Sequence, residues 1–294
     1  MKLARQQGES GPRVVAVTEA GVADLGPLLQ AHQLAADSMR GLIRMWADLA
    51  PLVQAEIGRQ TEEHRLMPLV EGTLLVPVEG WGRVIGIGLN YSAHAAEGGH
   101  ALPPAPEMFL RLPSSLADPF GDILLPLASP QLDLEVELAV VIGSGGRSLS
   151  REAALASVFG YTVANDVSVR DFQHRTSQWT PGKNFDQTAP VGPWIVTKDE
   201  IDDAQALRLR SWIGAAPMQD GTSADMIFAV PELVAAASEF TTLEPGDLIL
   251  TGTPAGTGSG RKPPRWLLPG EVVTVSVEAI GQLKNKVVLE QKHP

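Results

Sequence analysis

Cysteine is absent from the 294-residue chain. Its absence excludes disulfides, thiolate nucleophiles and cysteine-bound zinc, and it suits a reducing cytoplasm. Positive charge is scarce as well: 23 Lys and Arg stand against 34 Asp and Glu, a formal charge of −11. Nucleic acid and anionic membrane both attract positive surface, so neither is expected as a partner. Long apolar runs are also missing. The start, MKLARQQGESGPRVV, has no hydrophobic core of a signal peptide, and no stretch reaches the length of a membrane span. What remains is 44% hydrophobic and 19% charged residues, the composition of a globular protein long enough to bury a large core. A soluble cytoplasmic protein of one or two domains is the expectation.

Two textures divide the chain. Residues 1–78 read as a small α/β unit. RVVAVTEAGVADLG predicts a hairpin turning at Ala20-Gly21. Leu28, Leu29, Leu34, Met39, Leu42, Ile43, Trp46 and Leu49 then recur at helical spacing, and Pro51 predicts the end of that helix. His32 and His64 sit among polar neighbours and read as surface residues. Residues 79–294 consist of short strand candidates separated by Gly and Pro, with SREAALASV and VPELVAAASEF as the clearest helices. That pattern lacks the regular strand–helix alternation of a doubly wound sheet. It predicts a mainly β domain with some helix, built as two packed sheets or a roll.

Chemistry gathers at strand ends. In SPQLDLEVELAVVIG, Leu132, Leu134, Val136, Leu138 and Val140 alternate with Asp133, Glu135 and Glu137. A period of two puts all three acids on one strand face, with no basic residue between them. The ordinary outcome is an acidic face in water. The sharper one is a hard cation such as Mg²⁺ or Ca²⁺ held by converging carboxylates.

In GLNYSAHAAEGG, His94 and Glu97 are three residues apart in a helix-prone segment and share a face. A carboxylate that orients an imidazole suits a general base acting on water, and a surface ion pair is the plainer reading. YTVANDVSVRDFQ places Asp166 at a strand end, with Arg170 and Gln173 on one face of a following turn. Lys183 stands alone in TPGKNFD, and LILTGTPAGTGSG offers the hydroxyls of Thr251 and Thr253 beside a Gly-rich loop. VVIGSGGRS, with Asp166 downstream, imitates a dinucleotide fingerprint. Ser148 replaces its third glycine and the acidic face opposes a pyrophosphate, so a nicotinamide-dependent dehydrogenase is a remote alternative.

Taken in order, GLNYSAHAAEGG, MFLRLPSSL, DLEVELAVVIG, NDVSVRDFQ, GKNFD, PGDLILTGTPAG and PGEVVTVSVEAIGQLKN resemble the fumarylacetoacetate hydrolase family over about residues 83–290. The resemblance implies that family's mixed β-sandwich roll, here behind a variable N-terminal domain, and a homodimer. It implies one divalent ion, Mg²⁺ or Mn²⁺ (Ca²⁺ in crystals), on Glu135, Glu137 and Asp166. Asp133 is then a surplus acid, either exposed or behind the ligands. His94 and Glu97 become a water-activating dyad on a lid, Lys183 the active-site lysine, and Arg170, Gln173 and Thr253 substrate contacts. Leu134 stands where the family often has an aromatic residue, Arg111 where many members have Lys, and Val169 where Ala is commoner. None of these departures removes a ligand or base.

The implied activity is metal-dependent hydrolysis of a carbon–carbon bond in small 2,4-dioxo acids of the acylpyruvate or fumarylacetoacetate type, through a metal-bound enolate, in catabolism. Decarboxylation of oxaloacetate-like acids, and isomerisation or hydration of unsaturated 2-oxo acids, would use the same site. A non-enzymatic binding module is the outlying alternative.

Overall fold

The structure, a computed structural model, describes residues 1–80, 82–99 and 101–291. Its largest sheet has eleven strands. At its middle lies Val136–Ile142, paired antiparallel with Val158–Asn165 on one side and Leu248–Leu250 on the other. Beyond Leu248–Leu250 come Val84–Gly88, in parallel, and the edge strand Glu107–Arg111. In the other direction the sheet continues through Ala189–Thr197 to Lys2–Gly8, Gly11–Thr18 and Gly21–Asp24. A second sheet of five strands contains Arg208–Ile213, Ala216–Thr222, Val272–Val277, Gly281–Leu289 and Ile123–Leu125. The class is α+β, as expected.

Side-chain alternation explains how the layers stack. Leu138, Val140 and Ile142 point to one core, which they share with Leu209, Val273, Val275 and Leu283 of the five-stranded sheet. Ala139 and Val141 point the other way, into a core with Leu29, Met39, Leu42, Leu49 and Val53 of the N-terminal helices. A strand covered on both faces must be apolar at every position, which is the reason for the run LAVVI.

Several local expectations change. The hairpin turn falls at Glu19–Ala20, because Thr18 pairs with Gly21. Lys2–Gly8, which had no sequence signal of its own, pairs with Gly11–Thr18 and also with Ile195 and Val196. The helical stripe breaks into Gly26–Ala31, Met39–Arg44 and Trp46–Glu62, and the last runs straight through Pro51. Pro51 forfeits one backbone hydrogen bond inside the helix, and the buried Leu49 and Val53 on either side anchor it through the break. The strand of alternating acids is likewise interrupted. Leu132–Asp133 pairs with Ser168–Val169, and regular pairing resumes at Val136.

The Gly-rich turn of VVIGSGGRS serves packing. A Cβ on Gly145 would lie 2.1 Å from the Leu243 carbonyl oxygen, and the Gly146 N–H donates to that same oxygen. Two chain segments touch there, which leaves no cradle for a phosphate.

Candidate active site

The acids of DLEVE do not face water. Asp133, Glu135 and Glu137 are 0, 3 and 1% exposed. The break at Leu134–Glu135 lets this happen: Glu135 N–H donates to Asn165 Oδ1, and Asp166 N–H donates to the Glu135 carbonyl. These bonds place Asp166, at the end of Val158–Asn165, beside the acids of the neighbouring strand. Glu135, Glu137 and Asp166 each offer an oxygen within 4.8 Å of the others.

Buried carboxylates need partners, and most of these have them. Lys183 Nζ lies 2.7 Å from Glu135 Oε2 and 2.5 Å from Asp166 Oδ2. Arg170 pairs with Glu135 at 2.6 Å and with Asp133 at 2.8 Å, and its Nη1 donates to Gln173 Oε1. Arg111 Nε donates to Asp166 Oδ1 at 2.5 Å, and its Nη2 donates to the Val167 carbonyl. Glu137 is the exception: among the described residues no cation pairs with it, and its carboxylate accepts only from Gly252 N–H at 2.8 Å.

The electrostatics follow from that imbalance. Burial would raise Glu135, but Arg170 and Lys183 outweigh it and hold this carboxyl well below the usual range. Burial also raises Glu137, and here the charges of Asp166 and Glu135 push it further, well above an ordinary glutamate. Among the described residues, four buried acids facing three cations leave one carboxyl, that of Glu137, without a counter-ion, at a point where three hard oxygens converge. That donor set fits an oxygen-seeking divalent ion such as Mg²⁺ or Mn²⁺ and does not fit tetrahedral nitrogen–sulfur zinc.

Around the cluster lies one cavity. Glu135, Glu137, Arg170, Gln173, Lys183 and Thr253 line it together with His94, and Ile87, Leu89 and Trp179 form an apolar side. Asp166 closes the cluster from behind. The short helix Ser92–Glu97 carries the dyad, with His94 Nδ1 3.4 Å from Glu97 Oε2. Glu97 also accepts from Gly256 N–H, so the helix is docked on the Gly-rich loop. Burial opposes the ionised form of Glu97, but the His94 and Gly256 hydrogen bonds prevail and lower its pKa.

Of the residues singled out from the sequence, His94, Glu135, Glu137, Arg170, Gln173, Lys183 and Thr253 line this cavity, Glu97 and Asp166 join it through His94 and Lys183, and Thr251 turns away, its hydroxyl donating to the Leu138 carbonyl. Thr253 arrives with its hydroxyl already engaged: it donates to the Val136 carbonyl and accepts from Gln219 Nε2. Three residues gain importance that sequence reading did not give them. Asp133 takes the second of its two expected places, behind the ligands, where it pairs with Arg170. Arg111, noted only as a departure from a lysine, is buried against Asp166. Tyr91 has a buried hydroxyl without a hydrogen-bond partner, and burial, then Glu137, raises its pKa. The signal for Arg111 was present, as a lone basic residue in a strand of apolar neighbours.

Comparison with known proteins now adds to the geometry. Residues 83–288 match the model of the fumarylacetoacetate (FAA) hydrolase C-terminal family. The chain belongs to the fumarylacetoacetate hydrolase family. Among family members, a 2,4-didehydro-3-deoxy-L-rhamnonate hydrolase of Sphingomonas sp. (strain SKA58) is 44% identical over 225 residues, covering 75% of this chain and 79% of that one. A mitochondrial oxaloacetate tautomerase of Homo sapiens is 42% identical over 225 residues, 76% of this chain and 72% of its own. The crystal structure of maleylpyruvate hydrolase from Sphingobium sp. SYK-6, in complex with manganese(II) ion and pyruvate, superposes with a TM-score of 0.81 at 30% identity. That superposition covers 99% of this chain and 100% of the other. The family thus includes proteins named as hydrolases and as tautomerases, and one solved with a divalent metal.

Proposed function

We propose that this protein is a divalent-metal-dependent hydrolase that cleaves the carbon–carbon bond of acylpyruvates and related 2,4-dioxo acids. One observation carries the reading: a buried acidic triad with one unpaired carboxyl opens on the same cavity as a His–Glu dyad and two cationic side chains. Glu135, Glu137 and Asp166 would hold the ion, Mg²⁺ or Mn²⁺. When bound, it supplies Lewis acidity toward the oxygens of a 2-oxo acid.

The chain's own residues do the rest. Arg170 and Lys183 attract the carboxylate of the substrate, and Gln173, hydrogen-bonded to Arg170, helps to fix its orientation. His94, oriented by Glu97, takes a proton from water, and the hydroxide oxygen bonds to C4. The C3–C4 bond then breaks, its electron pair passing to C3 and on to the C2 oxygen. This yields a carboxylic acid and the enolate of pyruvate, which Lys183 stabilises as charge develops and which takes up a proton at C3. Ile87, Leu89 and Trp179 keep water from the remaining surface of the substrate.

A second reading has support of its own, the 42% identity to an oxaloacetate tautomerase. There the dyad would move a proton between C3 and the C2 oxygen without breaking carbon–carbon bonds, and decarboxylation of oxaloacetate is a third use of the same groups. We also propose that the protein works as a homodimer in which residues 79–294 carry the catalytic groups, while residues 1–78, expected from sequence to be a domain of their own, extend the same sheet and cover its second face. The test supplies acetylpyruvate or oxaloacetate with Mg²⁺ or Mn²⁺ and follows products by NMR. Acetate with pyruvate from the first establishes hydrolysis. Interconversion of the keto and enol forms of the second, with acetylpyruvate untouched, would replace it by tautomerisation.

A further inference from the structure

Asp133 is the third acid of the strand and has no place among the groups that would touch an ion or a substrate, yet it is fully buried. All its contacts are donors. Oδ1 accepts from Gly258 N–H at 2.7 Å. Oδ2 accepts from Ser259 N–H at 2.9 Å and from Arg170 Nε at 2.9 Å. The loop is pressed onto it: a Cβ on Gly258 would lie 2.6 Å from Asp133 Oδ1 and 1.9 Å from the Arg265 carbonyl oxygen. Two residues earlier the same loop donates Gly256 N–H to Glu97. On its other side Arg170 reaches Glu135 and Gln173. One carboxylate therefore touches both the seat of the dyad helix and the arginine beside the acidic triad.

We propose that Asp133 is a positioning residue that sets two parts of the site at once. It holds Arg170 at the angle from which the guanidinium faces the cavity, and it holds the loop Gly256–Ser259 as the platform on which Glu97 docks. A charge is suited to this task. A carboxylate offers enough lone pairs for three donors, and charge-assisted hydrogen bonds are roughly twice as strong as neutral ones. A water in its place would carry no charge and could accept from at most two of these donors. The inference rests on reading this cavity as the active site, and its test is built to separate the two.

Amide hydrogen exchange on the full-length chain needs no substrate. In Asp133→Ala, exchange at Gly256–Ser259 and in the helix Ser92–Glu97 should be about tenfold faster, while Val136–Ile142 keeps its protection. Asp133→Asn retains an acceptor for Gly258 but no charge for Arg170, so its loop should loosen less. With acetylpyruvate, both variants should raise KM through Arg170, and Asp133→Ala should also lower kcat, because it frees the platform under Glu97. Unchanged protection of Ser92–Glu97 in Asp133→Ala would overturn the proposal, as would an even loosening that includes Val136–Ile142. Failure of both variants to fold would overturn it too, since Asp133 would then be a folding element. If the wild-type protein turns over no 2-oxo acid, the functional reading falls, and the exchange pattern still decides the role of Asp133.

Discussion

At the scale of single residues, charge balance explains the site better than residue type does. Glu135 and Asp166 each have cationic partners, whereas Glu137 meets other carboxylates and one amide. In chelated protein Glu137→Gln removes a buried carboxyl that no cation among the described residues pairs with. Its thermal midpoint, read by calorimetry, should rise by about 2 °C, the shift expected for ~1 kcal/mol in a chain of this size. The same variant should bind Mn²⁺ more weakly, measured by titration calorimetry, by at least the roughly 10–100-fold that outer-shell changes cost. A destabilised variant with intact affinity would contradict the site. His94 makes the opposite case. Its side chain is 15% exposed and anchors no core, so His94→Ala should leave the midpoint within about 1 °C. Its kcat on acetylpyruvate should fall by ~10²–10⁴, the ordinary contribution of a general base.

At the scale of elements, short pieces are placed by what they touch. The helix Ser92–Glu97 is too short to persist alone and depends on Glu97 reaching Gly256. Because the folded site lowers the pKa of Glu97 below its usual value of 4.5, this docking is present above that value. It should be lost as pH falls through the lowered pKa. Exchange rates of the Ala95 and Gly98 amides between pH 6 and pH 3, after correction for intrinsic rates, check the sign. The long helix Trp46–Glu62 carries Pro51 on its exposed side. Pro51→Ala restores a backbone donor and removes the ring from a helix interior, so it should stabilise the protein by about 1 kcal/mol in urea titration. Destabilisation would show that the fixed φ of Pro51 matters more than the missing N–H.

At the scale of the whole molecule, the two packed sheets and the N-terminal helices share the strands that carry the site. Lys2–Gly8 pairs with Ala189–Thr197, and the helices of the first 62 residues cover Ala139, Val141, Leu248 and Leu250. Residues 79–294 expressed alone should therefore expose an apolar face beneath the metal ligands. They should aggregate or bind a hydrophobic dye, as judged by light scattering and dye fluorescence. A monodisperse, active fragment would show that the interface is dispensable. Among the described residues no helix is long and apolar enough to cross a membrane.

Much was legible in the linear order of residues. Absent cysteine and excess acid argued against whole classes of chemistry, and alternation marked the acidic approach to the central strand Val136–Ile142. The motif order pointed to the family, and the types of residue pointed to a hard cation. These are local properties, carried by composition and by neighbours a few positions apart. Whether the acids of DLEVE face water or a core was a different kind of question. Alternation states that side chains share a face and says nothing of what covers it. Burial came from the break at Leu134–Glu135, the approach of Asp166 from the next strand, and three cations contributed by Arg111, Arg170 and Lys183. Asp133 shows the same limit. Its partners Gly258 and Ser259 lie more than a hundred residues away in sequence, so only the folded chain could turn a surplus acid into a joint between loop and arginine.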